Sequence, residues 1–286
     1  MILFGPSGTD EAFALEGLTR TTEVPAFLKR NGLDIFEYSF GRGVRISTET
    51  ALGICSAFSD EGIGISVHAP YFINFASEDP QKLRASFDYL FQSLEAVKLF
   101  GGNRAVFHPG SPLKSDRKEA MNRLLRAVNI FMDEFYQKGC DGFIAAETMG
   151  KINQLGNLDE IVDICKIADH IIPCVDFGHL NARTHGSLKT EDDYKAVIDT
   201  LIDGVGYDKV KNMHVHFSKI EYGQGGEVRH LTFADQVFGP EFEPLAKVLY
   251  DYKLEPWVFS ESAGTQSIDA KTMKDTYYKF VNNDNK

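Results

Sequence analysis

Residues 171–183 read IIPCVDFGHLNAR: an apolar run that stops at Asp176, with His179 three residues further on. An uninterrupted run of β-prone apolar residues, without alternation, reads as a strand buried on both faces, as in a parallel sheet covered by helices. Such a strand has two reasons to end in a carboxylate and an imidazole. Asp176 caps the segment that follows and His179 merely sits nearby, or both side chains face something cationic. The other strands decide between these readings.

Working outward, the same pattern recurs. Short runs rich in Val, Ile and Phe fall at 2–5 (ILFG), 34–40 (DIFEYSF), 64–70 (GISVHAP), 104–110 (RAVFHPG), 142–149 (GFIAAETM), 171–178, 211–218 (KNMHVHFS) and 256–262 (PWVFSES). Between them, helical spacing predicts helices at 22–31, 48–61, 81–100, 115–138, 158–169, 191–204, 240–252 and 269–282. Leu83, Phe87, Leu90, Leu94 and Val97 form one apolar stripe, and glycines follow it as a stop. Strands alternating with helices, without a linker, give one α/β domain over 1–286. A count of eight favours a (β/α)₈ TIM barrel over a doubly wound sheet. The chain lacks a strand-linked GxGxxG or a GxxxxGK[ST] phosphate loop. The glycine-rich GQGGEV (223–228) reads as a flexible active-site loop.

Composition narrows the function. With 286 residues, 43% of them hydrophobic and 25% charged, the chain has material for a sizeable core. It has no apolar stretch long enough for a membrane span, so no membrane partner is expected, and its first residues do not read as a secretory signal. Four cysteines without CxxC spacing argue against a disulfide framework or a thiolate zinc site, and a reducing cytoplasm fits them. Cys165 and Cys174 read as small core residues. A formal charge of −11 excludes a generally basic nucleic-acid binder but not a local basic rim.

In a barrel the active site is built at the C-terminal ends of the strands. There the sequence places His68, His108, Glu147, Asp176 with His179, the pair His214 and His216, and Glu261, while His230 follows the seventh strand. Taken singly, each has an ordinary structural role. Taken together, three carboxylates and several imidazoles at successive strand ends form a donor set for zinc, manganese or iron. The inventory suits two or three ions, and several ions close together suit phosphodiester hydrolysis.

The strings VHAPYFINFAS (67–77), FHPGS (107–111), ETMG (147–150), DFGHLNAR (176–183), HVHFSK (214–219), RHLTF (229–233) and SES (260–262) carry a resemblance to the endonuclease IV family of abasic-site repair enzymes. The resemblance implies a TIM barrel with three metal ions, usually zinc, that hydrolyses DNA on the 5′ side of an abasic site. It implies damaged double-stranded DNA as partner and a monomer. Carried over by motif, His68, His108 and Glu147 hold one ion; Glu147, Asp176, His214 and Glu261 a second; His179 and His230 a third. Glu147 and Glu261 are the catalytic carboxylates, and Tyr71, Phe72 and Asn74 match a DNA-contacting loop. Arg42 and Arg45 are further candidates for phosphate contacts.

Two departures from the family pattern stand out. Where the family has an Asp two residues before the histidine matched by His230, this chain has Val228; Glu227 or His216 then supplies the missing ligand. The loop after the second strand also lacks the family's usual recognition sequence. The rival reading is a xylose-isomerase-like sugar isomerase or epimerase with one metal and paired glutamates, drawing on Glu147, Asp176, His214 and Glu261. A metal-dependent binding protein without turnover is the non-enzymatic alternative. The additional His68, His108, His179 and His230 favour nuclease chemistry.

Overall fold

A computed structural model describes residues 1–41 and 43–284. Arg42 therefore lies outside the described residues. The strands are β1 (Leu3–Pro6), β2 (Ile35–Ser39), β3 (Gly64–His68), β4 (Arg104–Phe107), β5 (Phe143–Glu147), β6 (Ile171–Asp176), β7 (His214–Phe217), β8 (Ile220–Gly223), β9 (Gly226–His230) and β10 (Trp257–Ser260). The helices are α1 (Glu11–Leu15), α2 (Val24–Arg30), α3 (Thr48–Glu61), α4 (Pro80–Leu99), α5 (Arg117–Gln137), α6 (Leu158–Cys165), α7 (Phe177–Arg183), α8 (Glu191–Val205), α9 (Tyr207–Lys211), α10 (Phe242–Asp251) and α11 (Gln266–Asn283).

Eight strands form one parallel sheet in the order β1-β10-β7-β6-β5-β4-β3-β2. The seam between β1 and β2 is joined by a parallel bridge from Ser7 to Glu37, and the Gly8 N–H donates to the Glu37 carbonyl at 2.9 Å. The chain therefore folds as the expected TIM barrel. Glycine is required at the seam. A Cβ on Gly5 would lie 1.7 Å from the Ile35 carbonyl oxygen and force β1 and β2 apart.

Local signals set the helix starts. Asp79 accepts from the N–H groups of Gln81 and Lys82 with Pro80 opening α4, and Asn157 and Glu160 form a reciprocal capping box on α6. Phe87, Leu90, Leu94 and Val97 of α4 are buried against the sheet, as their spacing predicts. Inside the barrel, Val106, Ala145, Ile172 and Cys174 form a small apolar floor. Cys165 and Cys174 are both buried free thiols. Among the described residues, no helix is long and apolar enough to cross a membrane.

Two segments differ from the sequence reading. Residues 177–178, read as the end of a strand, instead begin α7, because Asp176 caps it. GQGGEV is not a free loop. It forms the end of β8, the turn and the start of β9 in the antiparallel β8–β9 hairpin, which is pinned by a bridge from Gly226 to Lys151. A Cβ on Gly150 would meet the Glu227 Cβ at 2.6 Å, so the glycine of ETMG lets the hairpin approach β5.

Candidate metal centre

The strand ends open into a cavity of about 530 Å³ whose walls include His68, His108, Glu147, His179, His230 and Glu261. Three groups of donors lie around it, the donor atoms of each within 4.8 Å of one another: His68, His108 and Glu147; Glu147, Asp176, His216 and Glu261; and His179, His230 and Glu261. Glu147 and Glu261 each belong to two groups.

Glu147 sits at the centre. Its Oε2 lies 3.0 Å from His68 Nε2 and 3.0 Å from His108 Nε2, and its Oε1 lies 3.0 Å from His216 Nδ1. Burial raises its pKa, but the imidazoles of His108 and His216 outweigh burial and hold the carboxyl well below the usual range. Asp176 behaves differently. Its burial lifts it to about 6 despite His179. Burial opposes a charge on His179 as well, yet Asp176 and Glu147 raise that imidazole to about 9.

Asp176 also answers the question posed by its strand. Its Oδ1 accepts the N–H of His179 at 2.8 Å and caps α7. Its Oδ2 is buried without a hydrogen-bond partner, with His179 Nδ1 3.2 Å away. One oxygen is a helix cap and the other is an open donor facing the cluster. Further along α7, Arg183 Nη1 donates to the carbonyls of Lys151 at 2.8 Å and Met149 at 3.2 Å, anchoring the loop after β5.

His214 requires a correction. It was expected beside Asp176 and Glu261, but it lies one layer deeper, in register with Cys174, while His216 is level with Asp176. His214 Nε2 faces Glu37 Oε2 at 2.9 Å. His216 therefore takes the place assigned to His214. For the same reason it does not stand in for the missing Asp beside His179 and His230. Val228 is exposed, whereas Glu227 lines the cavity with Oε2 3.5 Å from His179 Nε2.

Glu37 was missed by the sequence reading. It is fully buried and contacts both His214 and His216. A carboxylate in the middle of the β-prone run IFEYSF (35–40) was the signal, since such residues are almost never buried without a partner.

The proposed DNA loop divides in two. The Tyr71 ring packs over His68 and His108 with centroids 4.7 and 5.4 Å apart, and Phe72 lies edge-on to Tyr89 and half exposed. Asn74 is committed to the protein. Its side chain accepts from Ala76 N–H at 3.0 Å and Ser111 N–H at 3.2 Å, and donates to the Ser111 carbonyl at 3.2 Å. That leaves it a loop clamp, not a free DNA contact. Arg45 is exposed.

Comparison with known proteins places this geometry. The profile of the xylose isomerase-like TIM barrel family matches residues 25–276. The chain belongs to that family, a family of enzymes. A protein called probable endonuclease 4 from Acholeplasma laidlawii is 30% identical over 199 residues, covering 67% of this chain and 65% of that one, just under two thirds of its length. An uncharacterised protein of Methanocaldococcus jannaschii is 29% identical over 262 residues, 92% of each chain. The crystal structure of a D-tagatose 3-epimerase-like protein shares the fold at a TM-score of 0.72, with 18% identity and 100% of both chains covered. The resemblance to the endonuclease IV family is thereby borne out.

Proposed function

We propose that this chain is a metal-dependent phosphodiester hydrolase that incises DNA 5′ to an abasic site. The observation that carries the reading is the sharing of two carboxylates: Glu147 and Glu261 link three donor groups into one continuous centre. A mononuclear isomerase has no use for three linked groups. The buried Oδ2 of Asp176 accepts no hydrogen bond among the described residues and has the His179 imidazole 3.2 Å away, so it can take a cation in place of that contact, which a buried carboxylate oxygen favours.

His68, His108 and Glu147 would hold one divalent ion; Glu147, Asp176, His216 and Glu261 a second; and His179, His230 and Glu261 a third, with Glu227 close to His179. Imidazole and carboxylate donors suit zinc, with manganese or iron as alternatives. Bound ions supply Lewis-acid stabilisation of phosphate charge and make water acidic enough to attack near neutral pH.

The chain's own groups do the rest. Glu261, less buried than Glu147, stands at the cavity wall between two of the donor groups, where it would help to orient the attacking water. Lys151 and Gln154 at the rim provide a cation and an amide for the phosphate. Tyr71 closes one wall over His68 and His108 and limits water there. Phe72, half exposed, is the apolar group available to fill the gap left by an extruded nucleotide.

The test uses a duplex oligonucleotide with one tetrahydrofuran abasic analogue and metal-quantified protein. The analogue cannot undergo β-elimination, so incision must be hydrolytic. Cleavage 5′ to the analogue that is lost on chelation and restored by zinc or manganese supports the reading. Fully metallated protein that leaves the DNA intact but epimerises a ketose would replace it with the sugar chemistry.

A further inference from the structure

We propose that Glu37 is a positioning residue for the metal centre, holding a proton on Nε2 of His216 so that the Nδ1 lone pair faces Glu147, Asp176 and Glu261. This rests on the metal-centre reading above.

Glu37 lies in the middle of β2, and its fully buried side chain reaches across the barrel to β7. Its Oε1 is 2.9 Å from His216 Nε2 and accepts from Ser7 Oγ at 2.9 Å. Its Oε2 is 2.9 Å from His214 Nε2 and accepts from Ser66 Oγ at 3.2 Å. An ionised carboxylate offers about four lone-pair sites. Four donors fill them, so this buried charge is fully solvated by protein.

The consequence falls on His216. His216 Nε2 faces Glu37, which lies outside the donor groups and offers only acceptor capacity, so that nitrogen keeps its proton. Nδ1 lies 3.0 Å from Glu147 Oε1 within the middle donor group, where a bound ion would take the place of a proton between the two and meet the lone pair of the neutral ring. A ligating imidazole whose other nitrogen donates to a carboxylate is fixed in tautomer and orientation and made a better donor. His214 then has a role as well. Two residues before His216 and on the same strand face, it completes the shell of Glu37 and is itself not a ligand of the cavity.

Cys174, His214 and His216 also lie close enough to share an ion. The filled shell of Glu37 argues for hydrogen bonding there, and cobalt distinguishes the two cases.

The experiment loads ring-¹⁵N-histidine protein with zinc and reads the His216 tautomer from two-bond ¹H–¹⁵N correlations, assigned with H216N. The expected result is a proton on Nε2 and an unprotonated, zinc-shifted Nδ1. In E37Q, one zinc should bind about 10–100-fold more weakly while the remaining sites keep their affinity, as for loss of an outer partner of a ligand. The double variant E37Q/H216N should lose no more than H216N, which a general packing defect would not reproduce. A proton on Nδ1, or full zinc affinity in E37Q, overturns the proposal. If E37Q fails to fold, the wild-type tautomer decides alone. A thiolate-to-cobalt charge-transfer band that disappears in C174S would place an ion on the deep group and overturn it too. Wild-type protein that takes up no zinc sinks the metal-centre reading and this proposal together, whereas normal uptake with an unaffected E37Q sinks only the latter.

Discussion

Two residues show how single side chains divide their atoms between folding and chemistry. Asp176 caps α7 with Oδ1 and leaves Oδ2 open, so amide and methyl replacements should separate the two duties. D176N keeps an oxygen for the His179 N–H and should fold with near-normal stability yet lose one metal equivalent. D176A removes the cap as well and should be less stable than D176N by about 1 kcal/mol, the usual worth of an N-cap. Urea unfolding of the metal-free proteins, with metal content measured in parallel, checks both. Equal stability of the two variants would show that the cap contributes nothing. Glu261 has a simpler division, because it is shared by two donor groups and its side chain, 3.6 Å from His216 Nδ1, makes no hydrogen bond among the described residues. E261Q is expected to reduce turnover by at least about a thousandfold, the scale set by losing a key electrostatic group, with an unchanged unfolding midpoint of the metal-free protein. Near-normal incision rates in E261Q would remove Glu261 from the catalytic assignment.

At the scale of elements, the loop between β3 and α4 carries both a substrate-facing group and a structural clamp. Phe72 is 52% exposed, so F72A should change stability by under about 0.5 kcal/mol. It should nonetheless raise KM for abasic duplex about tenfold, the lower part of what a stacking contact contributes. N74A should do the reverse. Loss of three buried or half-buried hydrogen bonds should cost about 1–3 kcal/mol of stability while leaving KM close to wild type. Steady-state kinetics beside thermal melts tests the pair, and a KM effect in N74A larger than in F72A would reverse the assignment. The same loop marks a limit of sequence reasoning. Tyr71, Phe72 and Asn74 are adjacent in sequence, but only contacts to Ser111 and Tyr89, distant along the chain, reveal which are committed. The strands and long helices were legible because periodicity is local. The cap at Asp176 was legible as one of two alternatives, and Oδ1 makes it. The β8–β9 hairpin was not read, although a glycine-rich turn between two short runs is a recognised hairpin signal.

For the molecule as a whole, the main obstacle to reading the site was depth along the barrel axis. Period-two alternation says that His214 and His216 share the inner face, but not which one is level with Asp176; that follows from the register of β6 against β7, a property of two strands together. Depth also sets the energetics. The barrel holds Glu37 and Asp176 with no exposed surface, Glu147 with almost none, and Glu261 at the cavity wall. Glu37 is satisfied by its four donors, whereas Glu147 and Glu261 line the cavity and Asp176 joins them in one donor group beside imidazoles. Ions bound among them interact with the folded chain alone, because the donors are spread from His68 to Glu261 and the unfolded chain does not bring them together. Stability should therefore follow mass action. One zinc at a hundred times its Kd should add about 2.7 kcal/mol, and at a thousand times about 4.1 kcal/mol. Unfolding midpoints measured across a zinc titration, from chelated protein upward, should rise logarithmically, and the rise should be smaller in D176N by one site's share. A midpoint independent of zinc over that range would mean that the linked carboxylates hold no ion, and the hydrolase reading would fall with it.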